Sequence, residues 1–528
     1  MTATRRSGRP GPPADRVRWS TPTPALARRR NRRLQSTVLR WQARLDADWA
    51  DRVVPWAVAG FLFVVYAAAA LARADTLGAG TGLGRHLQAA WAIREGRSPD
   101  VTIGGARNLL ADGAPFGFVP LAALTRVLPP IPTLLGAQAA ALALGVVPVW
   151  RLARRVTNLR VGAAGALVLA YACHPLTGVL DLADFEPSAM AVTPLLLTAY
   201  YAHRKKWWRM ALAGAAAVVW ASELGLVVAG LGVLLVLEGE RRHGGRAIVA
   251  GLAYTVVVMV VVQSPLGPTG LLQPGAFTRY GDSGLDVLTA MLRNPLRPLA
   301  DLLAEENIRF LVSALAPLAF ISLLAPRQLV PIALLQALVF VSDVPLAGGD
   351  GAAHSAALLA FTFVAAAFGV AGLGRRRVQR VIVDPRILAI QVVAAIAALL
   401  LVSPLSPYAA PIARPVPTSA DDALRAATDR VPAELAVRVP ERALPLVAER
   451  TVAFGPAPGP FAAEAATADV DVLIVDERSA IEVTNADRLA QRRAVEAQGF
   501  QLVSRIAGVS LYVSEQLRPG QFDPSGDG

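Results

Sequence analysis

Runs such as PWAVAGFLFVVYAAAALARA (55–74) and PRILAIQVVAAIAALLLVSPL (385–405) carry enough apolar residues to cross the ~30 Å hydrocarbon of a bilayer as helices, and several further runs follow the same pattern. Inside hydrocarbon each segment must satisfy its own backbone amides and carbonyls, which restricts such runs to helices. The 528 residues are 54% hydrophobic with a mean hydropathy of +0.45, more than a soluble domain of this length carries, so the surplus needs lipid as a second solvent. The expected fold class is an all-α polytopic membrane protein, and its first partner is the lipid bilayer.

The formal net charge is +13, but its distribution argues against nucleic acid as a partner. Arginines 5, 6, 9, 16, 18, 28, 29, 30, 32 and 33 crowd the stretch before the first apolar run, whereas the chain after residue 410 is net acidic. Basic residues are retained on the cytoplasmic side of a membrane, so this asymmetry places the N-terminus inside. The stretch before the first run is far longer than the charged segment of a secretory signal and no small-residue cleavage site follows, so the run is read as a retained anchor. The Arg/Pro-rich stretch lacks periodicity and is expected to be disordered against anionic headgroups. Cys173, the one cysteine, sits in an apolar run and leaves no route to an intramolecular disulfide or a thiolate metal cluster.

Short basic connections fix the sidedness of the later spans. RLARRVTNLR (151–160), HRKKWWRM (203–210), EGERRHGGR (238–246), PRQ (326–328) and GRRRVQR (374–380) are all expected in the cytoplasm. About eleven crossings satisfy them, near 55–74, 132–150, 160–178, 188–202, 209–222, 223–237, 247–264, 309–325, 329–344, 354–373 and 387–405. The C-terminus then lies outside the cytoplasmic (inner) membrane of a bacterium. PFGFVPLAALTRVL (115–128) is too short to span and reads as re-entrant or interfacial. The run from Ala211 to Leu237 would be roughly 40 Å long as one helix and would leave a basic connection outside, so it reads as two short helices meeting near Ser222 and Glu223. That hairpin sets Glu223 below the outer surface, where an ionisable group is costly unless it faces water or a partner.

The expected organisation is a cytoplasmic segment (1–53), a transmembrane domain (54–407) with outer-face loops at 75–131 and 265–308, a Pro-rich linker (408–420), an extracytoplasmic α/β domain (421–516) and a disordered tail (517–528). In the first loop, LGRHLQAAWAIREG (83–96) places Leu83, Leu87, Ala90 and Trp91 on one helical stripe, as for a helix lying in the membrane interface. The glycine-rich GAGTGLG (78–84) before it reads as a flexible connector. In the tail, ADVDVLIVDE (468–477) reads as a buried strand ending in Asp476 and Glu477, where small α/β folds often bind ligands. Thr484 and Asp487 read as a capping box, and FQLVSRIAGVSLYVSE (500–515) as a hairpin turning near Gly508.

TGLGRHLQAAWAIREGR (81–97), FGFVPL (116–121), QAAALALGVVPVWRLARR (138–155), ADFEPSAMA (183–191), ASELGLVV (221–228) and LRNPLRPL (292–299) together resemble the prokaryotic membrane family named domain of unknown function 2079. That family is itself similar to the GT-C class of glycosyltransferases, multispan enzymes that use polyprenyl-phosphate sugars on the extracytoplasmic face. The resemblance implies a GT-C-like fold, with an active site between the first and later outer loops and an acidic residue in the first loop. Relatives carry an Asp-Leu-Gly-x-x-Asp-Gln type motif there. Here Gly82 and Leu87 occupy its two acidic positions, while Leu83, Gly84 and Gln88 follow it. In the second outer loop Asp184, Phe185 and Pro187 match, with Glu186 where His is usual and Ser188 where Glu is usual. Glu223 replaces an Asp, and Ala221 and Ser222 replace its Lys-Glu companions. The chain is read as a divergent member.

A GT-C-like transfer needs a base for the acceptor hydroxyl and positive charge for the phosphate leaving group, from cations or a metal. The candidate catalytic residues are Asp184, Glu186 and Glu223, with Asp75, Asp112 and Asp181 as further outer-face acids. Asp184 and Glu186 are two apart, so their carboxylates converge on a divalent cation or diverge along an extended strand. Candidate ligands of substrate or lipid phosphate are Arg85, His86, Gln88, Arg94 and Arg279, with Arg293 and Arg297 behind them, since guanidinium groups bind phosphate bidentately. His86 and His174 match no standard zinc spacing, and His354 is expected to cap or pack a helix. The function expected is the handling of a polyprenyl-phosphate-linked sugar and an envelope glycan acceptor in cell-envelope assembly. The alternative is a non-catalytic scaffold or lipid-binding accessory protein, which the missing acids at 82 and 87 favour. A transporter would show paired halves, and no internal repeat is seen.

Overall fold

A computed structural model describes residues 46 and 48–517, apart from 106, 183, 268–269, 345, 347–353, 378–379, 410–415, 457–466 and 478–484. Among these residues four helices are long and apolar enough to cross a membrane: Asp48–Asp75, Pro130–Val156, Arg241–Leu266 and Ser355–Leu373. A fifth span arises if Val161–Ala172 and Pro175–Leu182, bent by 41°, count together. Shorter apolar helices are Leu224–Leu237, Pro326–Val341 and Pro385–Leu401. The segment read as re-entrant or interfacial forms only the seven-residue helix Phe118–Leu124. Between Ala211 and Leu237 the backbone breaks, leaving helices Trp207–Val218 and Leu224–Leu237 with Ser222 and Glu223 in the break.

Glycine sets the closest helix contact. Helices Leu224–Leu237 and Arg241–Val257 cross with Gly225 against Gly251 and Gly232 against Gly244. A Cβ on Gly251 would stand 2.3 Å from the Gly225 carbonyl oxygen, and one on Gly244 would stand 2.6 Å from that of Gly232. Only hydrogen fits there, and small residues of this kind let helices associate where no hydrophobic effect drives them together.

The connections sort into two sets. The five basic ones touch one another: Arg204 donates to the Arg155 carbonyl (3.2 Å), Arg380 to that of Arg154 (2.8 Å), and Lys205 pairs with Glu240. His203 meets both Gln328 and Glu238. Arg154, fully buried, is neutralised by Asp51 at 2.7 Å and donates to the Leu159 carbonyl. The non-basic connections form the other set, around the cavities described below.

After residue 418 the chain builds a mixed five-stranded sheet in the order Ala453–Phe454, Val437–Arg438, Val472–Asp476, Val509–Ser514, Phe500–Ile506. The first three strands are parallel, and the last two form a hairpin antiparallel to them. Its tight turn places Ala507 and Gly508 at positive φ, the type I′ geometry that matches strand twist. Thr484 lies outside the described residues; Thr418 and Asp421 form a capping box at the start of Ser419–Asp429.

Two expectations change. The glycine-rich run is not a free connector but the start of helix Thr81–Arg94, and Cβ atoms at 80 and 82 would press on Glu441 and Asp184 at 2.8 Å. The helix is also not a surface element: Leu83, His86, Leu87, Gln88 and Ala90 are buried, with Gln88 bonded to the C-terminal sheet module. The Gln88 amide nitrogen donates to Thr102 Oγ1 (3.0 Å) and to the carbonyls of Arg450 (3.1 Å) and Thr451 (3.3 Å), while its oxygen accepts from the amides of Thr102 and Ile103.

Gly251→Leu is expected to force the two glycine-packed helices apart and cost ~1–3 kcal/mol, read as a lower Tm in detergent. Gly245→Ala, on the same helix with open space around it, leaves Tm unchanged or higher.

Candidate functional site

Gln138, on the Pro130–Val156 helix, holds the loop at 181–187 in place. Its amide nitrogen donates to the carbonyls of Leu180 (2.8 Å), Asp184 (2.9 Å) and Asp181 (3.2 Å), and its oxygen accepts the Glu186 amide at 2.6 Å. A buried amide using both ends in this way fixes the loop backbone, since leaving either end unpaired costs ~1–3 kcal/mol.

The fixed loop sends its two acids in different directions. Asp184 turns to the start of helix Thr81–Arg94, accepting from the amides of Gly80 (3.0 Å) and Gly82 (2.9 Å), with the Leu83 amide also bonded to it. Those are the unpaired donors of a helix N-terminus, where a carboxylate is favoured. Burial raises the Asp184 pKa, and the three amides with Arg73 oppose that rise. Glu186 points into a cavity and, among the described residues, accepts from the nearby Ser188 amide (3.1 Å). Enclosure by protein raises its pKa to about 7, against the opposing pull of the Ser188 amide, Arg85 and His354.

That cavity, about 360 Å³, collects residues from five separate segments. Arg85, Asp112 and Glu186 meet Glu223 and His354 there, and His354 Nδ1 lies 3.4 Å from Glu223 Oε1 at ion-pair distance. Ser222 anchors the helix break by donating its amide to the Gly113 carbonyl (2.7 Å), and Gln263, in a π-helical turn, reaches the Ser222 hydroxyl at 3.3 Å. A larger cavity of about 780 Å³ adjoins it between the first loop and the C-terminal module, lined by Arg73, Asp184, Glu441 and Arg442. Arg85, Arg107 and Glu186 line both. Arg85 pairs with Asp112 at 3.0 Å, while its buried Nε has no hydrogen-bond partner among the described residues.

The remaining sequence candidates divide. His86 lines the smaller cavity with its ring edge-on to Phe118 and Phe185, and burial, reinforced by Arg85, lowers its pKa to about 3, so it is neutral. Arg279 is held beside the rim through Asp343, which lines the cavity. Gln88 and Arg94 face the C-terminal module, Arg94 making a two-pronged pair with Glu449 at 2.9 and 3.2 Å. Asp75 lies apart from both cavities, and Asp181 is buried with neither carboxylate oxygen hydrogen-bonded among the described residues. At the sheet end Asp476 pairs with Arg442, and Glu477 with Arg492 and Arg505. Among the described residues no three His, Cys, Asp or Glu side chains close into a metal site, and the arginines lining the two cavities are Arg73, Arg85, Arg107 and Arg442. Arg107 and Gln138 were not singled out from sequence as site residues, and His354 was read as capping or packing a helix. Only distant neighbours give His354 and Arg107 a role, and nothing in an Ala/Leu-rich helix marks Gln138.

Asp184→Ala is expected to leave three helix amides without their acceptor. Hydrogen exchange at Gly80, Gly82 and Leu83 should accelerate ~10- to 100-fold, while the Gly225/Gly251 helix pair keeps its protection.

No curated protein matches the chain. Its fold is similar to that of ArnT from Cupriavidus metallidurans bound to undecaprenyl phosphate, with a TM-score of 0.53 at 12% identity over 90% of this chain and 100% of that one. The archaeal oligosaccharyltransferase AglB from Archaeoglobus fulgidus, in complex with an inhibitory peptide and a dolichol-phosphate, aligns at a TM-score of 0.45 and 12% identity over 90% of this chain and 76% of that one. The likeness to ArnT shows a GT-C-like fold. A family profile described as a predicted membrane protein matches residues 73–511, and the chain belongs to that family, domain of unknown function 2079.

Proposed function

We propose that the protein transfers a sugar from a polyprenyl-phosphate carrier in the paired cavities, on the extracytoplasmic face, in cell-envelope glycan assembly. The observation that carries this reading is the wall common to both cavities: Arg85, Arg107 and Glu186 place two cations and one carboxylate between two adjoining clefts. The sugar phosphate lies against the arginines, and the acceptor hydroxyl faces Glu186. Glu186 takes the hydroxyl proton as the acceptor oxygen bonds to the anomeric carbon. The bond from that carbon to the phosphate oxygen breaks, and polyprenyl phosphate leaves with its charge matched by Arg85 and Arg107. Glu223, held by His354, faces the same volume and orients the acceptor. Asp184 is a positioning residue.

The sorting of connections supports the reading of eleven crossings. The cavities are lined by the loops read as outer and by the adjoining ends of the crossings, and no residue of the five basic connections lines either one. The N-terminus is then cytoplasmic and the sheet module extracytoplasmic. A second reading, a non-catalytic lipid-binding scaffold, is favoured by Gly82. The Asp184 carboxylate stands where a side chain at 82 would project, and both its oxygens are taken by amides.

Native mass spectrometry with undecaprenyl phosphate tests the lipid assignment: Arg85→Ala is expected to weaken binding about ten- to a hundredfold. Glu186→Gln should lower transfer ~10²- to 10⁴-fold, and wild-type transfer should rise with pH through about 7 as Glu186 loses its proton. Retained binding of undecaprenyl phosphate with unchanged envelope glycan in a Glu186→Gln, Glu223→Gln double variant selects the scaffold. Labelling that finds residues 181–187 in the cytoplasm overturns the sidedness.

A further inference from the structure

At the end of the bundle where the basic connections gather, a third cavity of about 530 Å³ lies between helices Trp207–Val218 and Arg241–Val257. The glycine pairs explain its presence. Helix Arg241–Val257 lies against Leu224–Leu237 at backbone contact, while Trp207–Val218 packs chiefly on Val192–His203, so the two outer helices diverge over a floor of Val228 and Leu231. The walls carry small side chains, Gly214 and Ala215 on one side and Ala247 and Ala250 on the other. Tyr254 closes one end, its hydroxyl donating to the Val218 carbonyl at 2.7 Å, so no polar atom of that ring is left facing the groove unpaired.

The other end has a different chemistry. Trp207 stacks on His243 with ring centres 4.1 Å apart and planes within 9°. Arg246, one helical turn further on, lines the mouth with no carboxylate pairing it among the described residues. The nearby acids are engaged elsewhere, Glu240 by Lys205 and Glu238 by His203. The flanks are Leu212 and Val249, both exposed to the extent expected of lipid-facing residues. An apolar trough opening sideways to hydrocarbon, with an aromatic pair and an uncompensated cation at its polar end, has the shape and charge of one lipid molecule.

We infer that this groove is a discrete binding site for an anionic phospholipid, with one acyl chain between the two diverging helices and the headgroup phosphate at Arg246 and His243. The cation favours an anionic over a zwitterionic headgroup, and the trough favours a chain over a free phosphate. The site is separate from the paired cavities and stands independently of the activity proposed for them.

The test uses the full chain in nanodiscs of phosphatidylcholine with a minor fraction of phosphatidylglycerol, released and weighed by native mass spectrometry. Wild type is expected to retain one phosphatidylglycerol in excess of its share of the bilayer. Arg246→Ala should cut that preference about fivefold, the worth of one basic residue near an anionic headgroup. Gly214→Leu should lose the bound lipid of either headgroup, because its side chain projects onto the floor between Thr198 and Val228 with no backbone in the way. Equal retention of the two phospholipids by wild type, which requires no variant to fold, overturns the inference. So does an unchanged preference in Arg246→Ala, or displacement of the phosphatidylglycerol by undecaprenyl phosphate added at equal concentration.

Discussion

The carboxamide of Gln138 is the point from which the cleft is organised. Fully buried, it binds three carbonyls and one amide at the loop 181–187 and so holds that backbone in place. From there Asp184 reaches the open amides of helix Thr81–Arg94. The helix in turn carries Arg85 and His86 into the smaller cavity and presents Gln88 to the sheet module. A polar group that is fully paired in a low-dielectric setting rigidifies its neighbours, because any alternative geometry strands a donor or an acceptor.

Charge is managed differently at the two ends of the bundle. In the basic set the arginines donate largely to backbone carbonyls of neighbouring connections, knitting the loops to one another. In the other set, charges face clefts: Arg85 with Asp112 and Glu223 with His354 are pairs whose members line a cavity and are not capped by backbone. Asp181 follows neither pattern, its carboxylate being buried without a hydrogen bond among the described residues.

The broad fold was legible because it is encoded locally. Apolar runs long enough for helices, the break at Ser222 and Glu223, and the hairpin turn at Gly508 each follow from residues adjacent in sequence. Glu186 and Glu223 could be singled out because an acid next to an apolar run is conspicuous, and they do line one cavity. His354 read as a helix cap because its partner Glu223 is far away in sequence. The glycines flanking Thr81 read as slack chain for the same reason: the pressure on Gly80 comes from Glu441 and that on Gly82 from Asp184, both far away in sequence. Gln88 and Arg94 were assigned to phosphate by residue type, whereas their partners are the backbone and carboxylate of the sheet module.

The buried Gln88 side chain makes the sheet module inseparable from the first loop. Its nitrogen bonds to the Arg450 and Thr451 carbonyls, and Thr102 exchanges hydrogen bonds with Ala453 in both directions. Severing the chain after the last apolar helix would therefore uncover the roof of the larger cavity and orphan polar atoms on the first-loop helix in one stroke. Replacing the module by an unrelated one would require rewriting residues 81–108 to match.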